Sequence, residues 1–265
     1  MRCVEVLLCT TPGTLPNALD TALWDERRRI ALAANGQTAV RIAHSAAHHR
    51  DDALRHNASI AALDELLATG LPPAHAPVAL TGFDAVLEVR APDEVDPQTI
   101  IDGLAGLTDR LGPAVDPARS AVVMGVDYLL IGGDGPVQLF YCLRRVPEMN
   151  AAVFKDYWLH ELTKHTSKTP SKTGYRQVHA DPTLSAAAAR ATGLAIDDFD
   201  GVALEWYPDF DGLLAASKWA GGTPDVVEAE TRMIDFGAAR AMLSYSHDPD
   251  TGAGSAAFTS RAPTP

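Results

Sequence analysis

The chain has 265 residues, and their composition narrows the classes of protein to which it can belong. Hydrophobic residues make up 46% of the sequence, enough for a buried core, and the length suits one large domain or two small ones. The formal net charge is −12, so the chain lacks the basic surplus that binds nucleic-acid phosphates or an anionic membrane. We therefore predict neither a nucleic-acid partner nor a membrane partner.

Cysteine usage and apolar runs bear on the compartment and on cofactors. The three cysteines (Cys3, Cys9 and Cys142) form no CxxC pair and no Cys/His ligand spacing. The apolar run after Arg2 is too short for a signal peptide, and no run approaches the roughly 20 residues of a membrane helix. No phosphate-binding or dinucleotide-binding loop occurs. These features predict a cytoplasmic protein with no metal and no other cofactor.

Taken in chain order, the hydrophobic patterns alternate between strands and helices. The first half opens with a strand at VEVLLC and carries an extra helix near Ala53–Thr69, and a glycine-rich linker follows at Gly132–Gly135. In the second half the patterns predict strands at Val137–Leu143, Gly174–His179, Gly201–Tyr207 and Ala241–Ser246, and helices at Asn150–Lys164, Phe210–Trp219 and Asp225–Phe236.

The two halves share an ordered series of matching residues, which indicates an internal repeat. The matched pairs are Cys9 and Cys142, Trp24 and Trp158, Arg41 and Arg176, His44 and His179, Phe83 and Phe199, and Tyr128 and Tyr245. We therefore predict two tandem ferredoxin-like (β-α-β-β-α-β) repeats of the α+β class, at residues 1–131 and 136–250, before a disordered tail at 251–265. Because an apolar sheet face must be covered, the two sheets should pair as an intramolecular dimeric α/β barrel.

A string of motifs in the second half is similar to the EthD family of dimeric α/β-barrel proteins. The motifs are Arg144-Arg145, Phe154-Lys155-Asp156-Tyr157-Trp158, Tyr175-Arg176-Gln177, Asp200-Gly201-Val202-Ala203 with Trp206, and Met233-Ile234-Asp235. The family usually places a histidine four residues after the tryptophan, where this chain has Leu162. His160 and His165 lie nearby instead, so which histidine takes the family role stays open. The first half resembles the family only through the repeat, as a diverged copy.

Several polar residues of the second half are candidates for a site. Histidine titrates near neutral pH and suits acid–base work, so His165, His179 and His160 are candidate catalytic groups, with Tyr175 as proton donor or oxyanion partner. His165 is the first choice for the base, because helical spacing places it on the face of Trp158. The residues expected to contact the substrate are Tyr157, Trp158, Arg176, Gln177, Asp200 and Trp206. Strand alternation puts Tyr175, Gln177 and His179 on one face of the sheet and Arg176 on the other.

Three functional classes are compatible with these residues. The EthD resemblance implies a cofactor-independent lyase (dehydratase, aldol-type enzyme, cyclase or decarboxylase) acting on a small cyclic or aromatic molecule by histidine and tyrosine acid–base catalysis. The alternatives are a cofactor-free monooxygenase or haem-binding relative, and a non-catalytic small-molecule binder or accessory protein. In each case the expected partner is a small molecule, and further association of such pseudo-dimers stays open.

Overall fold

The structure, a computed structural model, describes residues 1–14, 16–33, 38–47, 50–51, 59–73, 76–195 and 198–245. The expected tail at 251–265 and the start of the extra helix near residue 53 lie outside these ranges. No helix within the described ranges is long and apolar enough to cross a membrane.

Eight strands and nine α-helices make up the described part of the chain. The strands are β1 (Arg2–Leu8), β2 (Ala39–His44), β3 (Ala85–Ala91), β4 (Ala121–Ile131), β5 (Val137–Leu143), β6 (Gly174–Ala180), β7 (Gly201–Tyr207) and β8 (Arg240–Tyr245). The helices are α1 (Pro16–Ala33), α2 (Ile60–Thr69), α3 (Pro97–Leu104), α4 (Leu107–Leu111), α5 (Ala151–Asp156), α6 (Thr163–Thr166), α7 (Pro182–Thr192), α8 (Phe210–Gly222) and α9 (Pro224–Met233). A π-helical turn, Tyr157–Leu162, joins α5 to α6.

All eight strands belong to one antiparallel sheet in the order β2-β3-β1-β4-β6-β7-β5-β8. The two edge strands approach each other, since isolated bridges join Ser45 to Ser244 and Thr81 to Met242. The sheet is therefore a nearly closed barrel, and the fold is of the α+β class. Near closure leaves few unpaired backbone groups at the edges.

Local sequence signals explain where several helices begin. The Asn150 side chain accepts a hydrogen bond from the Val153 N–H (2.9 Å), and Asp209 accepts one from the Gly212 N–H (2.7 Å). Asp181 caps α7 in the same way, with Pro182 at the first helical position. The helix predicted to begin at Asn150 is thus present, with Asn150 as its cap, whereas α7 was not among the predicted elements. Its alanine-rich sequence has a weak apolar pattern.

Strand alternation gives the sheet an inner and an outer face. The inner face is apolar at one level, where Leu7, Phe140 and Val202 meet. At another level it holds a buried charged layer. There Arg176 donates to Asp127 (2.9 Å) and to Glu88 (3.1 Å), and Arg90 donates to Asp127 (3.1 Å).

Candidate functional site

The outer faces of the two halves of the sheet differ in chemistry. In the first half the outer face is apolar, with Val4, Val6 and Leu87 packed beneath helices. In the second half β5, β6 and β7 present polar side chains on the corresponding face: Tyr141, Tyr175, Gln177, His179, Glu205 and Tyr207. The candidate site therefore lies between the second half of the sheet and the helices that cover it.

A hydrogen-bonded network runs along the outer face of β6. His179 Nε2 and Gln177 Oε1 are 2.9 Å apart, and the Gln177 amide donates to the Tyr175 hydroxyl (2.8 Å). The Trp158 indole also donates to the Tyr175 hydroxyl (3.1 Å), and its ring stacks on His179 with centroids 4.6 Å apart. These four predicted site residues thus lie together, and Arg176 points to the opposite face as alternation requires.

The environment of His179 is unsuited to a general base. Its ring is enclosed between Trp158 and Tyr128, whose centroid lies 4.8 Å away. Burial, aided by the charges of Lys155 and His160, lowers the pKa of His179 to about 3. A base works best with a pKa near the operating pH, so His179 holds its neutral form and orients the network instead.

The other two candidate histidines are not part of this network. His160 is exposed and lies 3.8 Å from Asp156 on the same helical segment. His165 is partly exposed, whereas Trp158 and Leu162 are buried. The π turn at Tyr157–Leu162 widens the helix, so the α-helical spacing used to place His165 beside Trp158 does not hold.

The remaining predicted residues are distributed over other parts of the fold. Trp206 lies inside the barrel, with the guanidiniums of Arg41 and Arg176 at 5.8 and 5.7 Å from its ring. Asp200 precedes β7, accepts from the Arg145 N–H (2.8 Å) and also pairs with the Arg145 guanidinium. Tyr157, the first residue of the π turn, is partly buried against the core. The predicted residues therefore do not all line one pocket.

A small cavity of about 60 Å³ lies on the same outer face, beside the β6 network. One wall is polar and includes Tyr141, Lys172, Glu205, Tyr207 and Glu230. The other wall is apolar: Leu71, Pro72, Leu139, Leu213, Ala216, Ala220 and Val226. An apolar enclosure with a few converging polar groups is the usual form of a small-molecule site.

Glu205 organises the polar wall. The buried Lys172 ammonium donates to it (2.5 Å), and the Tyr207 hydroxyl donates to its other oxygen (2.5 Å). Lys172 also lies over the ring of Tyr175, at 4.5 Å from the centroid, which joins this wall to the β6 network. The ion pair fixes one positive charge at the edge of the cavity.

Two further groups on the polar wall are available to a ligand. Burial and the neighbouring Glu205 raise the pKa of Glu230 to about 8, close to the pH at which a general base is effective. The Tyr141 hydroxyl is buried, and no hydrogen-bond partner for it exists among the described residues. Because a buried donor without a partner is costly, a ligand oxygen would satisfy this group.

The residues predicted for the site from the sequence did not include Glu205, Tyr141, Lys172 or Glu230. A signal for Glu230 exists, because it shares a helical face with Val226 and Met233, both of which are buried. Tyr141 lies two residues from both Leu139 and Leu143 on β5, so strand alternation places the three side chains on one face. Lys172 follows α6 in a turn and carries no such signal.

Comparison with known proteins identifies the fold. No family model matches the sequence, and no curated protein does so either. Among solved structures, an anthrone oxidase-like protein is similar over 92% of this chain and 90% of its own, with 10% identity and a TM-score of 0.56. A dye-decolorizing peroxidase from Bacteroides thetaiotaomicron is similar over 96% of this chain and 95% of its own, with 10% identity and a TM-score of 0.51. The protein therefore has the fold of dimeric α+β-barrel enzymes.

These similarities correct one prediction. The chain was expected to be a cofactor-independent lyase, but the structurally similar proteins are of the oxidase and peroxidase kinds. The lyase prediction is therefore wrong. Its physical basis also fails, because the buried His179 is too weak a base and neither His160 nor His165 lines the cavity.

Proposed function

We propose that the protein is a cofactor-independent oxygenase that uses O₂ to oxidise a small, electron-rich hydroxyaromatic molecule in the outer-face cavity. The observation that carries this proposal is that an unpartnered Tyr141 hydroxyl and Glu230, whose pKa is about 8, line the same cavity. These are a hydrogen-bond donor for a phenolate oxygen and a base able to generate that phenolate. The similarity in fold to an anthrone oxidase-like protein supports oxidation of an aromatic compound.

Haem is the group that the peroxidase fold suggests, and the cavity does not fit it. Enzymes of the peroxidase kind bind haem iron through a proximal histidine. None of the described residues that line the cavity is a histidine, and its 60 Å³ is far below the space that a macrocycle needs. His179, the buried histidine of the β6 network, has its ring stacked on Trp158. The residues that line this cavity therefore do not fit haem.

The chain's own residues can support a balanced reaction with O₂. Glu230, as the carboxylate, takes a hydroxyl proton from the substrate, and the resulting oxyanion is stabilised by Lys172 and by Tyr141. The electron-rich ring carbon forms a C–O bond to O₂, and Glu230 returns its proton to the resulting peroxide anion, which gives a ring hydroperoxide. The O–O bond then breaks as water leaves with the hydrogen of that carbon. Overall, a dihydroxyarene and O₂ give a hydroxyquinone and water, so the substrate itself supplies the electrons.

Oxygen uptake with the purified protein tests this proposal. We expect 1,3-dihydroxybenzene to be consumed with O₂ and Glu230→Gln to lower kcat by about 10²–10⁴-fold, as loss of a general base does. Glu228→Gln is the matched control, because Glu228 is an exposed carboxylate on the same helix. Equal rates in the two variants would refute Glu230 as the base.

We also propose that the two halves are ferredoxin-like repeats and that the second is related to EthD. Two strand pairings support the repeat: Leu8 pairs with Ala85, and Leu143, which lies 135 residues after Leu8, pairs with Gly201. In each half the order within the sheet is second, third, first and fourth strand. The offset of 135 is the one that matches Arg41 to Arg176, whereas Cys9 and Cys142 are 133 apart. Separate expression of residues 136–250 would test whether that half folds alone.

A further inference from the structure

One carboxyl group of the charged layer inside the barrel does not offset a positive charge. Glu5 is fully buried on β1, directly opposite Glu88 on β3, and the Cys3 thiol donates to its Oε1 atom (3.3 Å). Burial and the charge of Glu88 raise the pKa of Glu5 well above its ordinary value. Glu5 therefore keeps its proton at neutral pH, and the negative charge of the described part of the layer comes from Glu88 and Asp127.

Arg41 is the guanidinium of this layer that lacks a carboxylate partner among the described residues. The other two guanidiniums in the described part of the layer, Arg90 and Arg176, form salt bridges. Arg41 lies opposite Glu88 in the register of β2 and β3, yet it forms no salt bridge with any described residue. Burial lowers the pKa of its guanidinium, as expected for a charge that is not fully compensated. With Glu5 neutral, three guanidiniums face two carboxylates, and the surplus positive charge lies at Arg41.

Two buried N–H donors next to this charge have no acceptor among the described residues. Arg41 Nη2 donates to Gln138 Oε1 (2.8 Å), which keeps the two side chains adjacent and directs the Gln138 amide nitrogen away from the guanidinium. Arg41 Nε and Gln138 Nε2 are buried, and no described residue accepts a hydrogen bond from either atom. Gln138 is 3% exposed and lies between Trp206 and Ser244 of the adjacent strands. Because buried donors are costly to leave unpaired, these atoms require an acceptor.

We propose that the barrel interior binds one small monovalent anion of the halide class, chloride being the common example, at Arg41 and Gln138. The anion accepts hydrogen bonds from both donors and cancels the surplus charge of the layer. A water molecule would accept the same hydrogen bonds but would leave a buried charge uncompensated, which is the more costly arrangement. A cation is disfavoured by that surplus charge, although Cys3, Glu5 and Glu88 lie close enough together to bind one. This site is on the inner face of the sheet and does not depend on the proposed oxygenase function.

The test uses sodium bromide, because the anomalous scattering of bromide distinguishes it from water in a crystal. Thermal unfolding is measured in parallel, with bromide exchanged for gluconate at constant ionic strength. Arg41→Met removes the charge, and Gln138→Glu places a carboxylate beside Arg41 in place of the anion. Glu5→Gln is the matched control, because it exchanges one neutral side chain of the layer for another.

We expect one bromide within hydrogen-bond distance of Arg41 and Gln138 in the wild-type protein and in Glu5→Gln. In both, bromide at tenfold its Kd should raise the Tm by about 3–6 °C. Arg41→Met and Gln138→Glu should lose the bromide and the shift in Tm, and Gln138→Glu decides if Arg41→Met does not fold. Water at this position in the wild-type crystal overturns the proposal, and so does a shift in Tm that Gln138→Glu retains. Bromide bound only elsewhere is an adventitious ion and equally contradicts it.

Discussion

At the scale of single residues, the pKa distinguishes His179, one of the bases that the sequence predicted, from Glu230, the base that the structure suggests. A histidine pattern is visible in a sequence, but the burial that lowers the pKa of His179 to about 3 depends on Trp158 and Tyr128, from other parts of the chain. Burial has the opposite effect on a carboxyl group and brings the pKa of Glu230 to about 8. The base thus depends on packing that one sequence does not specify.

Glu230 should also make stability depend on pH. Its pKa is higher in the folded state than the ordinary value of 4.5, so between those values the folded state holds a proton that the unfolded state has lost. Stability should fall as pH rises from about 4.5 to about 8, by up to about 5 kcal/mol. Glu230→Gln should remove this fall in urea unfolding measured at pH 5 and pH 8.5. The same slope in Glu230→Gln and wild type would contradict the raised pKa.

Tyr141→Phe isolates the role of the unpartnered hydroxyl. Because no described residue bonds to this hydroxyl, its loss should leave thermal stability unchanged or slightly higher, while kcat with 1,3-dihydroxybenzene falls about 10-fold or more. Tyr157→Phe is the control, as Tyr157 does not line the cavity. A large loss of stability with normal kcat would mean that the hydroxyl is structural.

At the scale of elements, strand alternation predicted side-chain positions more accurately than helical spacing did. It predicted that Tyr175, Gln177 and His179 share one face of β6 and that Arg176 lies on the other, as the structure has it. Helical spacing failed after Trp158, because the π turn changes the number of residues per turn. A pattern of apolar residues does not distinguish an α turn from a π turn, so the position of His165 could not be predicted from the sequence.

Gln177 connects β6 to this turn. Its amide lies 3.3 Å from the Trp158 carbonyl and 3.1 Å from Thr163 Oγ1. Gln177→Leu should lower stability by about 1–3 kcal/mol, because these groups lose a buried partner, and should increase amide hydrogen exchange in residues 157–163. Gln98→Leu, at an exposed helix position, is the control. Unchanged exchange in Gln177→Leu would show that the turn holds without this side chain.

At the scale of the whole molecule, the nearly closed barrel makes the two halves interdependent. The alternation of strands and helices was predictable from local patterns, whereas the closure of the second-half cavity by Leu71 and Pro72 was not. These two residues precede Tyr141, Lys172 and Glu230, with which they line the cavity, by 69 or more positions in the sequence. The charged layer inside the barrel likewise joins residues of both halves that share no local pattern.

Arg176 is the residue that carries this layer across the halves. Arg176→Met would leave Glu88 and Asp127 without their main partner in a buried site, so we expect a loss of about 3–5 kcal/mol in urea unfolding. The exposed Arg190 offers a matched control, since Arg190→Met should change stability by less than about 0.5 kcal/mol. Similar values for the two variants would show that the layer contributes little to joining the halves.

Supplying ¹⁸O₂ to the metal-free purified protein with 1,3-dihydroxybenzene tests whether the oxygenation proceeds without a cofactor. We expect one ¹⁸O atom to enter each molecule of hydroxyquinone product and one O₂ to be consumed per product formed, with the rate rising with pH towards about 8 as Glu230 ionises. Product without ¹⁸O, or uptake that appears only after haem or a metal is added, would contradict it.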